Sequence, residues 1–203
     1  MNYYSLFLLI SVGLLIYLAK HLLQHLFDQN FFWKLTFFTL IFSLLGAKIF
    51  HVMENFPYYN SMPQEIFSGY GFSILGAISF GFITIFILSI IYKAKFLHIT
   101  DRVLLITPVA QFIGRLGNIT NQELMPFSLY EMGLNIINFT ILIFIYKLKK
   151  TDGLVTAMFF LNYGALRLYI EFLKGNYLGF LTLISFIFLI YGLSKLIKII
   201  LKL

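Results

Sequence analysis

The chain has 203 residues, of which 60% are hydrophobic and only 11% are charged, and it contains no cysteine. Soluble domains carry about 25% charged residues, so this composition excludes a soluble enzyme and a disordered chain, and the lack of cysteine excludes a disulfide framework. With a mean hydropathy of +0.90, it predicts an all-α integral membrane protein, because helices of about 20 apolar residues cross a bilayer core of about 30 Å.

Seven long apolar runs predict seven transmembrane helices. In chain order they lie at about 3–19, 35–52, 70–92, 103–119, 128–146, 154–173 and 178–194. The first cation, Lys20, follows the first run rather than preceding it, so we expect a retained helix and not a cleaved signal peptide. Because no repeat or linker divides the chain, we expect residues 1–203 to form a single seven-helix transmembrane domain. Small outer-face segments are expected near 53–71 and 117–128.

The cations divide by side of the membrane. Of the 15 lysines and arginines, 11 lie in the loops after runs one, three and five or at the C-terminus: Lys20, Lys34, Lys93, Lys95, Arg102, Lys147, Lys149, Lys150, Lys195, Lys198 and Lys202. Positive loops stay in the cytoplasm, so we expect the N-terminus outside and the C-terminus in the cytoplasm. Asp28, Asp101 and Asp152 then count as cytoplasmic charges. The net charge of +7 therefore reflects topology and contact with the lipid bilayer, and we expect no nucleic-acid partner.

Four cations remain on the outer side, and Arg115 lies in the most polar segment next to a span. Residues 114–123 are Gly-Arg-Leu-Gly-Asn-Ile-Thr-Asn-Gln-Glu. Arg115 and Asn118 share a helix face, Asn121 adds a neutral hydrogen-bonding group, and Glu123 can neutralise or orient Arg115. The planar donor fork of an arginine matches phosphate oxygens. An arginine that reaches the interface from a helix end explains the segment equally well, so a lipid-phosphate site and a structural role stay open.

A second polar group runs along the sixth apolar run. Tyr163, Arg167, Glu171 and Lys174 follow the spacing i, i+4, i+8, i+11 and form one stripe, in which Arg167 can pair with Glu171. For this stripe alone, a structural ion pair is the favoured interpretation. If Arg167 and Arg115 lie in one cavity on the outer side, a functional role for this stripe is favoured instead.

Two smaller groups complete the outer side. Ser128 and Glu131, which flank Leu129-Tyr130, have the spacing of a capping box at the start of the fifth run. Lys48 and His51 share a face of the second run. An interfacial histidine is more often a hydrogen-bonded structural residue than a base.

Taken together and in this order, the segments resemble the bacterial prolipoprotein diacylglyceryl transferase family. Residues 114–123 are close to that family's Gly-Arg-Ile-Gly-Asn-Phe-x-Asn-Gly-Glu, and residues 129–131 match its Leu-Tyr-Glu. Residues 163–172 match its Tyr-Gly-x-x-Arg-Phe-x-x-Glu-Phe at Tyr, Gly, Arg, Glu and Phe, and residues 46–48 resemble its Gly-Ala-Arg. Tyr4 resembles a tyrosine in the family's first span. Four motifs in order, on a matching topology, make the resemblance specific.

The resemblance implies a reaction and a location. It implies transfer of diacylglyceryl from phosphatidylglycerol to the thiol of a lipobox cysteine on a preprolipoprotein, with release of glycerol phosphate, in the bacterial cytoplasmic (inner) membrane. Arg115 and Arg167 would hold the phosphate, and Glu123 or His51 would be the base. No cofactor and no metal are expected. The remaining expected substrate-binding residues are Tyr4, Lys48, Asn118, Asn121, Tyr130, Glu131, Tyr163, Glu171 and Lys174.

The departures from the family pattern affect the side of the site where a proton would be transferred. The family's Ser-Phe-His-Gly-Gly is Ser-Ile-Leu-Gly-Ala here, so the histidine is Leu75, and its His-Pro is Met125-Pro126. An outer insertion of the family is reduced to residues 124–128. A non-catalytic relative that binds a lipid or a lipoprotein is therefore the alternative. A small transporter is disfavoured, because the sequence has no paired helices broken by glycine or proline.

Overall fold

The computed structural model describes residues 3–68, 71–122, 125–148 and 151–201, with side chains from residue 6 onward. Within these ranges all regular structure is helical, which confirms the predicted all-α class. The helices are α1 (Tyr3–Leu23), α2 (Gln29–Glu54), α3 (Phe56–Ser61), α4 (Ile74–Ile91), α5 (Phe96–Thr120), α6 (Phe127–Leu148), α7 (Leu154–Leu173) and α8 (Phe180–Ile200), with a short 3₁₀ helix at Pro63–Phe67 between α3 and α4.

Each predicted apolar run corresponds to one long helix. In the described part of the chain, six of these helices (α1, α2, α4, α5, α6 and α8) are long and apolar enough to cross a membrane. The seventh, α7, has 20 residues but carries buried Arg167 and Glu171, which lower its hydropathy. The chain is therefore a multi-pass helical membrane protein, while the number of spans and the orientation stay predictions.

Several helices start earlier than their apolar runs. The α2 helix begins at Gln29 and α5 at Phe96, because the helices continue through polar residues at the expected cytoplasmic end. Large apolar side chains such as Leu9 and Phe144 are mostly exposed, at 71% and 63%. Such exposure is typical of helix faces that contact lipid rather than water.

Helix α7 packs closely against α8. On the α8 side, a Cβ on Gly164 would lie 2.6 Å from the backbone nitrogen of Leu189. At the other end of the same contact, a Cβ on Gly192 would lie 2.8 Å from the carbonyl oxygen of Ala157. Only glycine allows two helices to approach this closely. The pair α7 and α8 is thus held at a fixed distance, with Phe159 buried beside it.

The predicted outer segment after α2 forms two short helices, α3 and the 3₁₀ helix. Lys48 secures this segment to α2: its Nζ donates to the carbonyl oxygens of Glu65 and Ser68, each at 3.3 Å. The same ammonium group lies over the rings of Tyr59 and Phe72, at 5.3 and 5.6 Å from their centroids. A cation above an aromatic face is stabilised by the ring quadrupole, so Lys48 holds this segment in place.

A candidate anion-binding site between three helices

Three helices bring Arg115, Glu131 and Arg167 together at one point. Arg115 lies five residues before the end of α5, Glu131 lies in the first turns of α6, and Arg167 lies six residues before the end of α7. Arg167 Nη1 donates to Glu131 Oε1 at 2.8 Å, and Arg115 Nη2 pairs with Glu131 Oε2. The two arginines therefore meet through a single shared carboxylate.

A second carboxylate lies on the other side of Arg167. Glu171 Oε1 accepts from Arg167 Nη2 at 2.7 Å and from Lys174 Nζ at 3.4 Å. Its other oxygen accepts from Asn176 Nδ2 at 3.0 Å. The predicted pairing of Arg167 with Glu171 along the helix is confirmed.

The charged groups are almost entirely enclosed by protein. The exposed fractions of the side chains are 16% for Arg115, 12% for Glu131, 6% for Arg167 and 2% for Glu171. Buried charges require partners, and each partner lost is costly in a medium of low dielectric. Within the described part of the chain, Arg167 Nε is buried without a hydrogen-bond partner. The cluster thus retains one donor that a further acceptor could satisfy.

Neutral polar residues border the arginines. Asn118 Oδ1 accepts from Arg115 Nη1 at 3.0 Å, which confirms that the two residues share a helix face. Tyr163 is buried and stacks on Phe159, with ring centroids 5.4 Å apart. A narrow pocket lined by Tyr163, Glu131 and Arg167 opens beside the ion pairs.

The capping-box interpretation of Ser128 and Glu131 is wrong. Ser128 lies inside α6, which begins at Phe127, and it is buried. The Glu131 carboxylate is bound to the two arginines instead. Ionic contacts with two guanidinium groups in a buried site are stronger than a hydrogen bond to a helix terminus, so the tertiary contact determines the position of Glu131.

His51 and Lys48 lie on α2, outside the arginine cluster. The His51 ring packs edge-on against Tyr59, with centroids 5.9 Å apart, and its Nε2 lies 3.5 Å from Asn55 Nδ2. Neither of these partners belongs to the cluster. The structural role that the sequence favours for an interfacial histidine agrees with these contacts.

The other predicted site residues are divided between the cluster and its surroundings. Lys174 occupies the C-cap position of α7, next to Glu171, and Asn121 occupies the C-cap position of α5. Tyr130 is 49% exposed. The predicted base Glu123 and the side chain of Tyr4 lie outside the described residues.

Two further polar residues approach the cluster without having been predicted as part of it. Asn176, just after α7, binds Glu171. Glu54, the last residue of α2, lies near enough to Arg167, Glu171 and Lys174 to interact with their charges. An acid at the outer end of a predicted span was the available signal for Glu54, whereas Asn176 has no signal in the sequence.

The fold and the site define a multi-pass helical membrane protein with two neighbouring arginines, Arg167 buried and Arg115 partly buried, that are suited to an anion. Residues 1–198 match the family model for prolipoprotein diacylglyceryl transferase. The chain belongs to this family, and the resemblance inferred from the motifs is confirmed.

Several relatives carry the name phosphatidylglycerol–prolipoprotein diacylglyceryl transferase. The Fervidobacterium nodosum protein is 32% identical over 179 residues, which cover 72% of this chain and 60% of the relative. The Finegoldia magna protein is 28% identical over 197 residues, which cover 84% of this chain and 79% of the relative. An Ehrlichia ruminantium protein is 30% identical over 189 residues, which cover 74% of this chain and 73% of the relative. The chain thus spans less than two thirds of the Fervidobacterium relative.

Proposed function

We propose that this chain transfers a diacylglyceryl group from phosphatidylglycerol to the thiol of a lipobox cysteine in a prolipoprotein. We place the reaction in the bacterial cytoplasmic membrane, at its outer face. Family membership and the names of the relatives support this proposal. They also indicate the two substrates, a phospholipid and a prolipoprotein.

The observation that carries the proposal is the convergence of Arg115 and Arg167 on one carboxylate, that of Glu131, which is only 12% exposed. The leaving group of the proposed reaction is a phosphate ester, which gains negative charge as its C–O bond breaks. Guanidinium groups held in place before the reaction stabilise that charge most strongly in a site from which water is excluded. We assign this role to the two arginines, with Asn118 orienting Arg115 through their hydrogen bond.

The bond changes define the other groups that the reaction needs. The cysteine sulfur forms a bond to the glyceryl carbon, the bond from that carbon to the phosphate oxygen breaks, and the electron pair leaves with glycerol phosphate. The thiol must first lose its proton, because the thiolate is the nucleophile. We propose Glu123 or His51 as the acceptor of this proton.

The test is a transfer assay in proteoliposomes that contain phosphatidylglycerol and a lipobox peptide with one cysteine. Consumption of the lipid, release of glycerol phosphate and lipidation of the peptide are measured together. We expect Arg115→Ala and Arg167→Ala each to lower turnover at least about 100-fold, the effect of removing one donor to a developing oxyanion. Full turnover in both variants would overturn the proposed role of the arginines.

Arg102→Ala is the matched control. Arg102 is on the same helix as Arg115, but its Nη1 donates to the carbonyl oxygen of His98 in its own helix, at 2.9 Å. We expect this variant to retain full turnover, so a loss that it shared with Arg115→Ala would indicate a general effect of removing an arginine from α5.

A non-catalytic relative that binds a lipid or a lipoprotein is the second candidate. Leu75, which stands at the position of the family histidine, is completely buried in the hydrophobic core, so no titratable group occupies that position. Retention of phosphatidylglycerol by the purified protein, without consumption of the lipid in the transfer assay, would select this candidate.

A further inference from the structure

Asp101 is a buried acid at the end of α5 opposite to the arginine cluster, and the proposed chemistry does not use it. Its side chain crosses to the start of α7. Oδ2 accepts from the backbone N–H of Gly153 at 2.6 Å. Oδ1 accepts from the backbone N–H of Thr156 at 2.8 Å and from the Thr156 hydroxyl at 2.6 Å. Asp101 is only 6% exposed.

Through these contacts, the Asp101 carboxylate on α5 caps N–H groups at the start of α7. The first N–H groups of a helix have no partner inside the helix and need an external acceptor. In α7 that acceptor comes from α5 rather than from the preceding residue, Gly153, which has no side chain and adopts a φ of +87°. The Thr156 hydroxyl also lies 2.8 Å from the hydroxyl of Thr100, the neighbour of Asp101. The start of α7 is therefore fixed to α5 by several short hydrogen bonds.

The hydrogen bonds of Asp101 and Thr100 fix the axial position of α7 relative to α5, the two helices that carry the arginines. Both helices run from this end of the molecule toward the cluster. At about 1.5 Å per residue, Arg115 lies about 21 Å along α5 from Asp101, and Arg167 lies about 16 Å along α7 from Thr156. A slip of α7 by one residue would move Arg167 by about 1.5 Å relative to Arg115, and a misplacement of about 1 Å can reduce an enzymatic rate about 100-fold.

We propose that Asp101 is a positioning residue that sets the register of α5 and α7, so that Arg115 and Arg167 reach the same anion. The part of this inference that concerns turnover rests on the proposed function. The part that concerns helix register does not, and it is tested separately.

The register is measured by pulsed electron paramagnetic resonance on the full chain in proteoliposomes. Because the chain has no cysteine, spin labels attach only at introduced sites. The exposed residues Thr120, at the end of α5, and Tyr169, on α7, are suitable as Thr120→Cys and Tyr169→Cys. In this background, Asp101→Asn keeps the size of the side chain but loses its charge and one acceptor. We expect it to shift the mean label-to-label distance by about 1.5 Å or more, or to broaden the distribution by as much.

Three further variants separate positioning from general damage to the fold. Thr156→Ser keeps both the hydroxyl and the N–H and is expected to match the parent. Thr156→Val loses the hydroxyl and is a milder change that serves if Asp101→Asn does not fold. Thr107→Val is the matched control on α5, because the Thr107 hydroxyl donates to the carbonyl oxygen of Val103, in its own helix. We expect this control to leave the distance unchanged.

Turnover is measured in chains without the labels. For Asp101→Asn we expect kcat to fall at least about 10-fold while KM for phosphatidylglycerol changes less than about 3-fold, since the lipid still binds but the arginines are misaligned. An unchanged distance distribution in Asp101→Asn, or an equal change in Thr107→Val, would overturn the inference. If the parent chain transfers no lipid, the proposed function fails, and the distance measurement alone decides the role of Asp101.

Discussion

Glu131→Gln tests whether the shared carboxylate maintains the resting arrangement of the cluster. The substitution preserves the shape of the side chain but leaves Arg115 and Arg167 facing each other without the anion between them. The arginine side chains are 16% and 6% exposed, so water cannot screen their repulsion effectively. Removing one partner of a buried ion pair costs about 3–5 kcal/mol.

Thermal unfolding of the purified protein in detergent measures this loss. For a chain of about 200 residues, 1 kcal/mol corresponds to about 2–4 °C in Tm, so we expect Glu131→Gln to lower Tm by at least about 6 °C. Added glycerol phosphate should restore part of this loss, because its phosphate can occupy the position between the two arginines. The same ligand should raise Tm less in the parent, where Glu131 occupies that position.

Asp152→Asn is the matched control for Glu131→Gln. Asp152 also pairs with a basic group, His98 at 3.1 Å, but its side chain is 42% exposed. Exposed pairs contribute about 0–1 kcal/mol, so we expect little change in Tm and no rescue by glycerol phosphate. A Tm loss in Glu131→Gln no larger than that of the control, or an equal response to glycerol phosphate in all three proteins, would refute the reasoning.

Three further predictions concern other contacts. We expect Glu171→Gln to lower Tm by an amount similar to Glu131→Gln, because it removes a buried partner of three donors; an unchanged Tm would contradict this. Gly164→Ala should lower the free energy of unfolding by about 1–3 kcal/mol, measured by thermal unfolding, because its Cβ would clash with the backbone of α8. Gly133→Ala, for which no atom of the described residues lies within 4 Å of the new Cβ, should leave the free energy of unfolding unchanged or raise it; an equal loss of stability in the two variants would contradict this prediction. Lys48→Met should increase hydrogen exchange in residues 56–68, since two carbonyl oxygens there lose their shared donor; unchanged exchange would show that other contacts hold the segment.

Local periodicity was sufficient to predict the long helices and the contacts within single helices. The apolar runs were placed correctly because burial in lipid requires long uninterrupted apolar segments. The contacts of Arg167 with Glu171 and of Arg115 with Asn118 follow from neighbours three or four residues apart on one helix. Both pairs are present. Such contacts depend on the helix alone and not on its neighbours.

Contacts between helices could not be predicted in this way. Glu131 fits a capping box by its spacing, and only the packing of α6 between α5 and α7 directs its carboxylate to the two arginines. The sequence pattern predicts only that Asp101 is a cytoplasmic charge. Its hydrogen bonds to α7 depend on the axial position and rotation of α7 relative to α5. The roles expected of His51 and Glu123 as bases stay predictions.

The positions of the arginines along α5 and α7 have an electrostatic consequence. The α5 and α7 helices end near the cluster and α6 begins near it. Aligned peptide dipoles place about half a negative charge at a helix C-terminus and half a positive charge at an N-terminus, and the effect falls off within one turn. Arg115 and Arg167 lie more than one turn before the ends of α5 and α7, so the helix dipoles contribute little at the cluster. An incoming phosphate at the two guanidinium groups is therefore not held by the N–H groups of a helix N-terminus, in contrast to sites built on such ends. Its affinity must therefore come from the arginine side chains, and free phosphate in solution should compete poorly with a lipid that is also held by its acyl chains.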